Sequence, residues 1–378
     1  MPKTRMHDLA KLGQSVWLDN INRKLLRSGR LRELTFMGLL GLTSNPTIFD
    51  NAISKSEDYD DEIRSLAEKG LPLFSIYDEL TVRDIQEAAD LFLPIHETTR
   101  GHDGYVSLEI NPKLARNARE TVEEGLRLHR KVNRANLMLK VPATDEGFPA
   151  VEEILSHGIN VNVTLIFSQR QYEKTARAYM KGLEKLVKGG GSPAAVHSVA
   201  SVFVSRIDSA VDRLLDEKIQ GTEDPAAKGR LEALKGKAAV ANSLLISEKH
   251  RELFALPEFT ALKEKGANFQ RVLWGSTSTK NPAYRDVKYV EELIVKNTVN
   301  TIPEQTLNAF LEHGEVKDSL AERTGKPSDL VAELSREGIS LDDVCEKLLL
   351  EGLVSFEKSF DSLLASLEAK SRKLAAKG

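Results

Sequence analysis

Eight short apolar runs alternate with helical stretches along this chain, and no other feature limits its fold as strongly. The runs are SVWLDN (15–20), the apolar start of LLGLTSNPTIFD (39–50), YVSLEINP (105–112), LMLKVPAT (137–144), INVNVTLIF (159–167), VHSVASVFVSRID (196–208), RVLWGSTSTK (271–280) and TVNTIP (298–303). Runs this short, bounded by turn formers, read as strands buried on both faces. Strands that alternate with helices form a parallel sheet. Eight units with no linker between them favour a closed (β/α)₈ TIM barrel over an open sheet.

The segments between the runs carry helical spacing at 5–14, 21–38, 50–69, 73–92, 113–132, 147–158, 209–217, 225–252 and 288–296, and from Ser168 as a cap. Beyond about residue 317 two further helical stretches, SDLVAELSREG and LDDVCEKLLLEGLVSFEKSFDSLLASLEAKSRKL, extend the pattern. The expectation is one α/β domain over 1–378, with the barrel at about 15–316 and a C-terminal helical extension at about 317–378. The last helix is expected to lie across the barrel mouth or along its flank. Within INVNVTLIF the polar residues Asn160, Asn162 and Thr164 alternate with Val161, Val163 and Leu165. Alternation predicts opposite faces for the two sets.

Composition excludes several classes. The 53 Lys and Arg nearly balance 56 Asp and Glu, so no basic surface calls for nucleic acid or membrane as the main partner. A single cysteine, Cys345, excludes an intrachain disulfide and a thiolate metal cluster, and its helical setting reads as a buried small apolar residue. The eight histidines form no HxH or HExxH grouping, so no metal is expected. MPKTRMHDLAKLG lacks the apolar core of a secretory leader, and no window nears a membrane span. The expected setting is cytoplasmic. GGG at 189–191 lacks a phosphate-loop pattern and reads as a surface loop.

In a barrel, chemistry gathers where the strands end. The polar residues at or near those ends are Asp19, Thr43, Asn45, Glu109, Lys140, Asn162, Thr164, Ser201, Arg206, Ser278 and Lys280. Lys140 is the sharpest of them. An ammonium inside an apolar strand is costly unless it is paired or gives up its proton, and a lysine with a lowered pKa can form a Schiff base with a carbonyl. On this run alone the plainer reading stands ahead of it: a lysine that reaches water or pairs with a carboxylate. The others also have two readings. Asp19 can move protons or cap a helix, and Glu109 can move protons or pair with a base at the rim. Asn45 can bind or make a turn before Pro46. Asn162 and Thr164 can bind ligand or fill a barrel layer. Arg206 can pair with Asp208, and Lys280 can lie in an exposed turn. Taken together, the set suits carbonyl chemistry on a phosphorylated polyol, with Arg206, Ser278 and Lys280 as the phosphate grip.

The stretches VWLDN (16–20), LTSNPTIF (42–49), VSLEINP (106–112), LMLKVPAT, GINVNVTLIFS (158–168), SVFVSRID (201–208) and WGSTSTKN (274–281), in this order, resemble the transaldolase family, in its longer bacterial branch. The resemblance implies a barrel of the class I aldolase group that needs no cofactor. It also implies the pentose phosphate reaction. A dihydroxyacetone unit moves from sedoheptulose 7-phosphate to glyceraldehyde 3-phosphate, giving erythrose 4-phosphate and fructose 6-phosphate. Lys140 then matches the Schiff-base lysine. Asp19 matches the carboxylate that takes the C4 hydroxyl proton. Glu109 and Thr164 match the pair that holds a catalytic water. Asn45 and Asn162 match amides on the dihydroxyacetone hydroxyls, with Thr43 and Ser201 lining the same site. Arg206 and Ser278 match phosphate contacts. Two departures bear on substrate preference. Lys280 stands where arginine is common, and Ser205 where glycine is common.

Two alternatives stay open. One is a Schiff-base aldolase that releases free dihydroxyacetone, and the other is a non-catalytic barrel that binds sugar phosphates. A monomer and a homodimer are both compatible with the sequence.

Overall fold

The computed structural model describes residues 3–317 and 325–375. Eight strands run as β1 (Gln14–Asp19), β2 (Leu39–Thr43), β3 (Val106–Glu109), β4 (Leu137–Pro142), β5 (Val161–Ile166), β6 (Ser198–Phe203), β7 (Arg271–Gly275) and β8 (Thr298–Ile302). They pair in chain order, all parallel, and close into a barrel when β8 pairs with β1. Helices fill the intervals, so the (β/α)₈ reading holds. Among the described residues no helix is long and apolar enough to cross a membrane.

Parallel register sets the barrel interior in layers. At the N-terminal end Arg271 pairs with Asp103 at 3.1 Å, and Asp103 also accepts from Ser15 Oγ and Trp17 Nε1. Above it lies an apolar layer of Trp17, Met138, Val199, Leu273 and Val299. Trp17 fits because β2 carries Gly41 beside it; a Cβ there would sit 2.7 Å from the indole. Two residues further along the strands, the interior positions become Asp19, Lys140, Ser201 and Thr301. The period of two in each strand carries the chain from plug to chemistry.

Several helices are shorter than their spacing predicts. The 21–38 stretch divides at Gly29, whose φ of 84° leaves the helical region. The 225–252 stretch divides at Gly236, with φ 69° and its N–H donated to Asp212. In the 288–296 stretch only Lys288–Glu292 is helical. At the other extreme, the chain after Ser340 forms one helix of 35 residues, Leu341–Ala375. It packs on the helix Pro46–Ser54 and reaches β5, so it lies over the barrel mouth. Its docking is polar as well as apolar. Lys370 reaches Asp60 at 2.7 Å, Lys113 reaches Asp361 at 2.5 Å, and Thr47 and Ser359 share a hydrogen bond. Residues 318–324, where the expected extension begins, and 376–378 lie outside the described residues.

Candidate active site

The C-terminal ends of the strands enclose a cavity of about 280 Å³. Asp19, Thr43, Asn45, Lys140, Asn162, Thr164, Ser201, Arg206, Ser278 and Lys280 all line it. Glu109 lies just behind that wall. It is buried, and its Oε2 is 2.9 Å from Lys140 Nζ. A wider and shallower groove of about 640 Å³ runs between Asp50 and the outer face of the C-terminal helix, but no strand-end group reaches it.

Lys140 is 5 % exposed. Its ammonium donates to the backbone carbonyl of Ser44 at 2.8 Å and pairs with Glu109. Both readings of the sequence therefore meet in one residue, since the lysine is paired with a carboxylate and also faces the cavity. Burial raises the pKa of Glu109 above the ordinary carboxylate value, Lys140 opposes this, and the Asp19 charge adds to it. Neither Glu109 oxygen receives a well-aligned hydrogen bond from the protein, and the buried Thr164 Oγ1 is also without a protein partner. A buried polar atom in that condition is costly unless water or a ligand engages it.

Asp19 closes β1 on the cavity wall and is not a helix cap; the next helix is capped by Asn22, which accepts from Leu25 N–H. Burial raises its carboxyl pKa, while Lys140, Thr43 and Lys280 lower it. Thr43, its register partner on β2, donates to Asp19 at 2.9 Å and lies 2.7 Å from Thr301. Asn162 is held from both sides, donating to Ser107 Oγ at 3.1 Å and accepting from Ser201 Oγ at 2.6 Å. Asn45 combines its two readings. Its side chain caps the helix Pro46–Ser54 by accepting from Ile48 N–H, and it also borders the cavity.

The far wall is cationic. Arg206 stands in the first turn of the helix Ser205–Gln220, and burial pushes its pKa below the ordinary guanidinium value while the Glu351 charge raises it. Asp208 does not pair with it. That carboxylate points away, to Tyr289 Oη and Ala239 N–H. Lys280 is exposed and donates to Ser278 Oγ at 2.7 Å. Ser205 is buried and lies 3.0 Å from Ser276 Oγ, tying this helix start to the loop after β7.

β5 departs from simple alternation. Asn162 and Thr164 face the cavity, as expected. Asn160 serves the opposite end, donating to the Ala135 and Leu137 carbonyls and accepting from His197 N–H. Leu165 has φ 59°, and the pairing with β6 slips between Val163 and Ile166. This bulge turns Leu165 toward the C-terminal helix, where it meets Gly352.

Sequence reasoning missed Thr301, Ser276, Phe203 and Phe356, which also line the cavity. Thr301 was findable as the interior position of β8 two residues after Val299. Phe356 was not. It comes from the C-terminal helix, and its ring centre lies 6.0 Å from Lys140 Nζ. Nothing in local spacing ties residue 356 to residue 140.

A model of the Transaldolase/Fructose-6-phosphate aldolase family matches residues 16–367. The chain is 42% identical over 377 residues to a transaldolase of Trichodesmium erythraeum, covering 99% of each chain. It is 44% identical over 366 residues to a transaldolase of Saccharopolyspora erythraea, covering 96% of this chain and 97% of the other. A transaldolase of Neisseria gonorrhoeae is 42% identical over 364 residues, 96% of this chain and 99% of its own.

Proposed function

The chain belongs to the Transaldolase/Fructose-6-phosphate aldolase family, and from that premise we propose that it runs the transaldolase reaction through a Schiff base on Lys140. The observation that carries this reading is the placement of the Lys140 amine, buried against Glu109 in the same cavity as Asp19. The donor is a ketose phosphate such as sedoheptulose 7-phosphate, and the acceptor is glyceraldehyde 3-phosphate. The setting is cytoplasmic, and the chain acts as one domain, as a monomer or homodimer.

The steps follow from the groups present. The amine adds to the C2 carbonyl, and the carbinolamine loses water to give a protonated imine. Glu109 and Thr164 hold the water and move the protons of this dehydration, a role supported by the burial of both and by the contact of Glu109 with the Lys140 amine. The imine is an electron sink. When Asp19 takes the proton of the C4 hydroxyl, the C3–C4 bond breaks, the C4 fragment leaves as an aldehyde, and the electron pair stays as an enamine. The enamine carbon then attacks the acceptor aldehyde, whose oxygen takes the proton back from Asp19. Hydrolysis of the new imine releases the product ketose and frees Lys140. Asn45 and Asn162 hold the dihydroxyacetone hydroxyls, with Thr43 and Ser201 fixing Asp19 and Asn162. Arg206, Ser278 and Lys280 hold the phosphate.

The test is borohydride reduction in the presence of fructose 6-phosphate, followed by peptide mass mapping. An adduct on the peptide containing Lys140 is expected, and its absence would defeat the covalent reading. Incubation with fructose 6-phosphate with and without erythrose 4-phosphate separates transfer from simple aldol cleavage. Turnover that does not depend on the acceptor would favour the aldolase alternative.

A further inference from the structure

The enamine on Lys140 has two fates. It can attack an aldehyde, or it can take a proton at carbon, after which water adds to the imine carbon, the C–N bond breaks and free dihydroxyacetone leaves. The second fate is committed when a proton reaches the enamine carbon, a place distinct from the imine carbon where the water held by Glu109 and Thr164 acts. We propose that Phe356 is a specificity-determining residue that favours the aldehyde over water by roofing the Lys140 amine. This rests on the Schiff-base reading above.

Four observations carry it. Phe356 is 5 % exposed although it lies on a helix outside the barrel. It borders the cavity, with its ring centre 6.0 Å from the amine. One turn earlier the same helix has Gly352, where a Cβ would lie 3.0 Å from Leu165 Cδ2 and 3.7 Å from Arg206 Nη1. The absence of a side chain there lets the helix descend onto the end of β5. The helix is also pinned at both sides of this point. On the near side the buried Cys345 Sγ donates to the Phe167 carbonyl at 3.3 Å, and Lys370 ties the far end to Asp60 and to the Ile53 and Ser56 carbonyls. The roof is therefore a fixed, apolar surface above the amine, opposite the polar groups of the strands. An aromatic ring offers no proton to the enamine and leaves less room for further water at the enamine carbon, on the side away from Glu109 and Thr164.

The partition is measured directly. Phe356→Leu keeps an apolar side chain but shortens the roof, and Phe356→Ala removes it. For each protein, the rate of dihydroxyacetone release from fructose 6-phosphate without acceptor is divided by the rate of transfer to erythrose 4-phosphate. The borohydride adduct on Lys140 is mapped in parallel, and circular dichroism checks folding. The ratio is expected to rise more than twofold in Phe356→Leu and about tenfold or more in Phe356→Ala, with the adduct retained. A ratio within twofold of the parent in Phe356→Leu overturns the inference even if Phe356→Ala does not fold. An adduct in every protein with an unchanged ratio removes only the role of Phe356. Loss of the adduct in the parent removes the covalent reading, and this inference with it.

Discussion

Glu109 and Lys140 are register partners on adjacent parallel strands, and their charged atoms meet at 2.9 Å inside the protein. Two ions taken out of water together are tolerated because each compensates the other, whereas one left alone is strongly destabilising. The pair therefore ties the chemistry of the site to its stability.

Lys140→Met is expected to fold and to lose at least 1,000-fold in kcat, on the order expected when a covalent nucleophile is removed. It also leaves Glu109 buried without its cation, which lowers stability. Steady-state assays and thermal melts check both points. Residual turnover within tenfold of the parent would sink the role given to the lysine. Lys140→Met combined with Glu109→Gln is expected to be at least as stable as the single variant, because no uncompensated buried carboxylate remains.

Burial raises the carboxyl pKa values of both Asp19 and Glu109. Asp19 must be ionised to accept the C4 proton. The acid limb of kcat/KM is therefore expected at a pH above the ordinary carboxylate range, and it belongs to the coupled pair of carboxyls and not to one alone. Asp19→Asn is expected to lower kcat by roughly 100- to 10,000-fold, the range for loss of a positioned acid–base group. An acid limb at the ordinary aspartate value would contradict the burial argument.

Arg206 and Lys280 face the same end of the cavity with different chemistry. Arg206→Ala should raise KM for the phosphorylated donor by roughly 10- to 100-fold, the cost of a lost charge-assisted hydrogen bond. Lys280→Arg replaces an exposed point charge with a planar fork. It should lower that KM by about threefold with kcat unchanged, since the gain is in ground-state grip. Comparing phosphorylated and unphosphorylated ketoses checks both. Equal effects on the two substrates would place the phosphate elsewhere.

Two buried histidines away from the site add to the acid sensitivity of the fold. Burial pushes His197 down to about 4, and His250 likewise to about 4. In the unfolded chain these rings titrate near 6.5, so the unfolded state binds more protons between the two values. Their contribution is complete above about pH 6.5 and is lost as the pH falls toward 4, roughly 3 kcal/mol at most for each ring. Asp208 and Asp84, raised by burial to about 6, act in the opposite sense: their contribution is present below about pH 4 and is lost as the pH rises from there through about 6. Urea unfolding at pH 7 and pH 4.5 should show a smaller acid loss in His197→Gln than in the parent. Equal losses would rule out titration of this ring.

Much of the site was legible because strand ends in a barrel share one face and side chains repeat every two residues. Lys140, Asp19 and Asn162 needed only their place in a short apolar run. Leu165 stays in the apolar core with Val161 and Val163, but alternation assumes extended backbone and did not foresee the bulge marked by its φ of 59°. Asn160, read with Asn162 and Thr164 only as one alternating set, serves the other end of the strand. Periodicity gives a face, but it does not say how far along the strand the chemistry starts.

The sequence by itself determined the parallel barrel, the family and the identity of the polar groups at the strand ends, because these depend on local period and on motifs within single runs. Only the tertiary structure decided that Lys140 is paired and cavity-facing at once, that Asn45 both caps a helix and borders the cavity, and that Phe356 stands over the amine. Those facts depend on which strands become neighbours and on where a helix 200 residues later comes to rest. Sequence separation of that size leaves no local signal, and only packing brings such groups within contact distance.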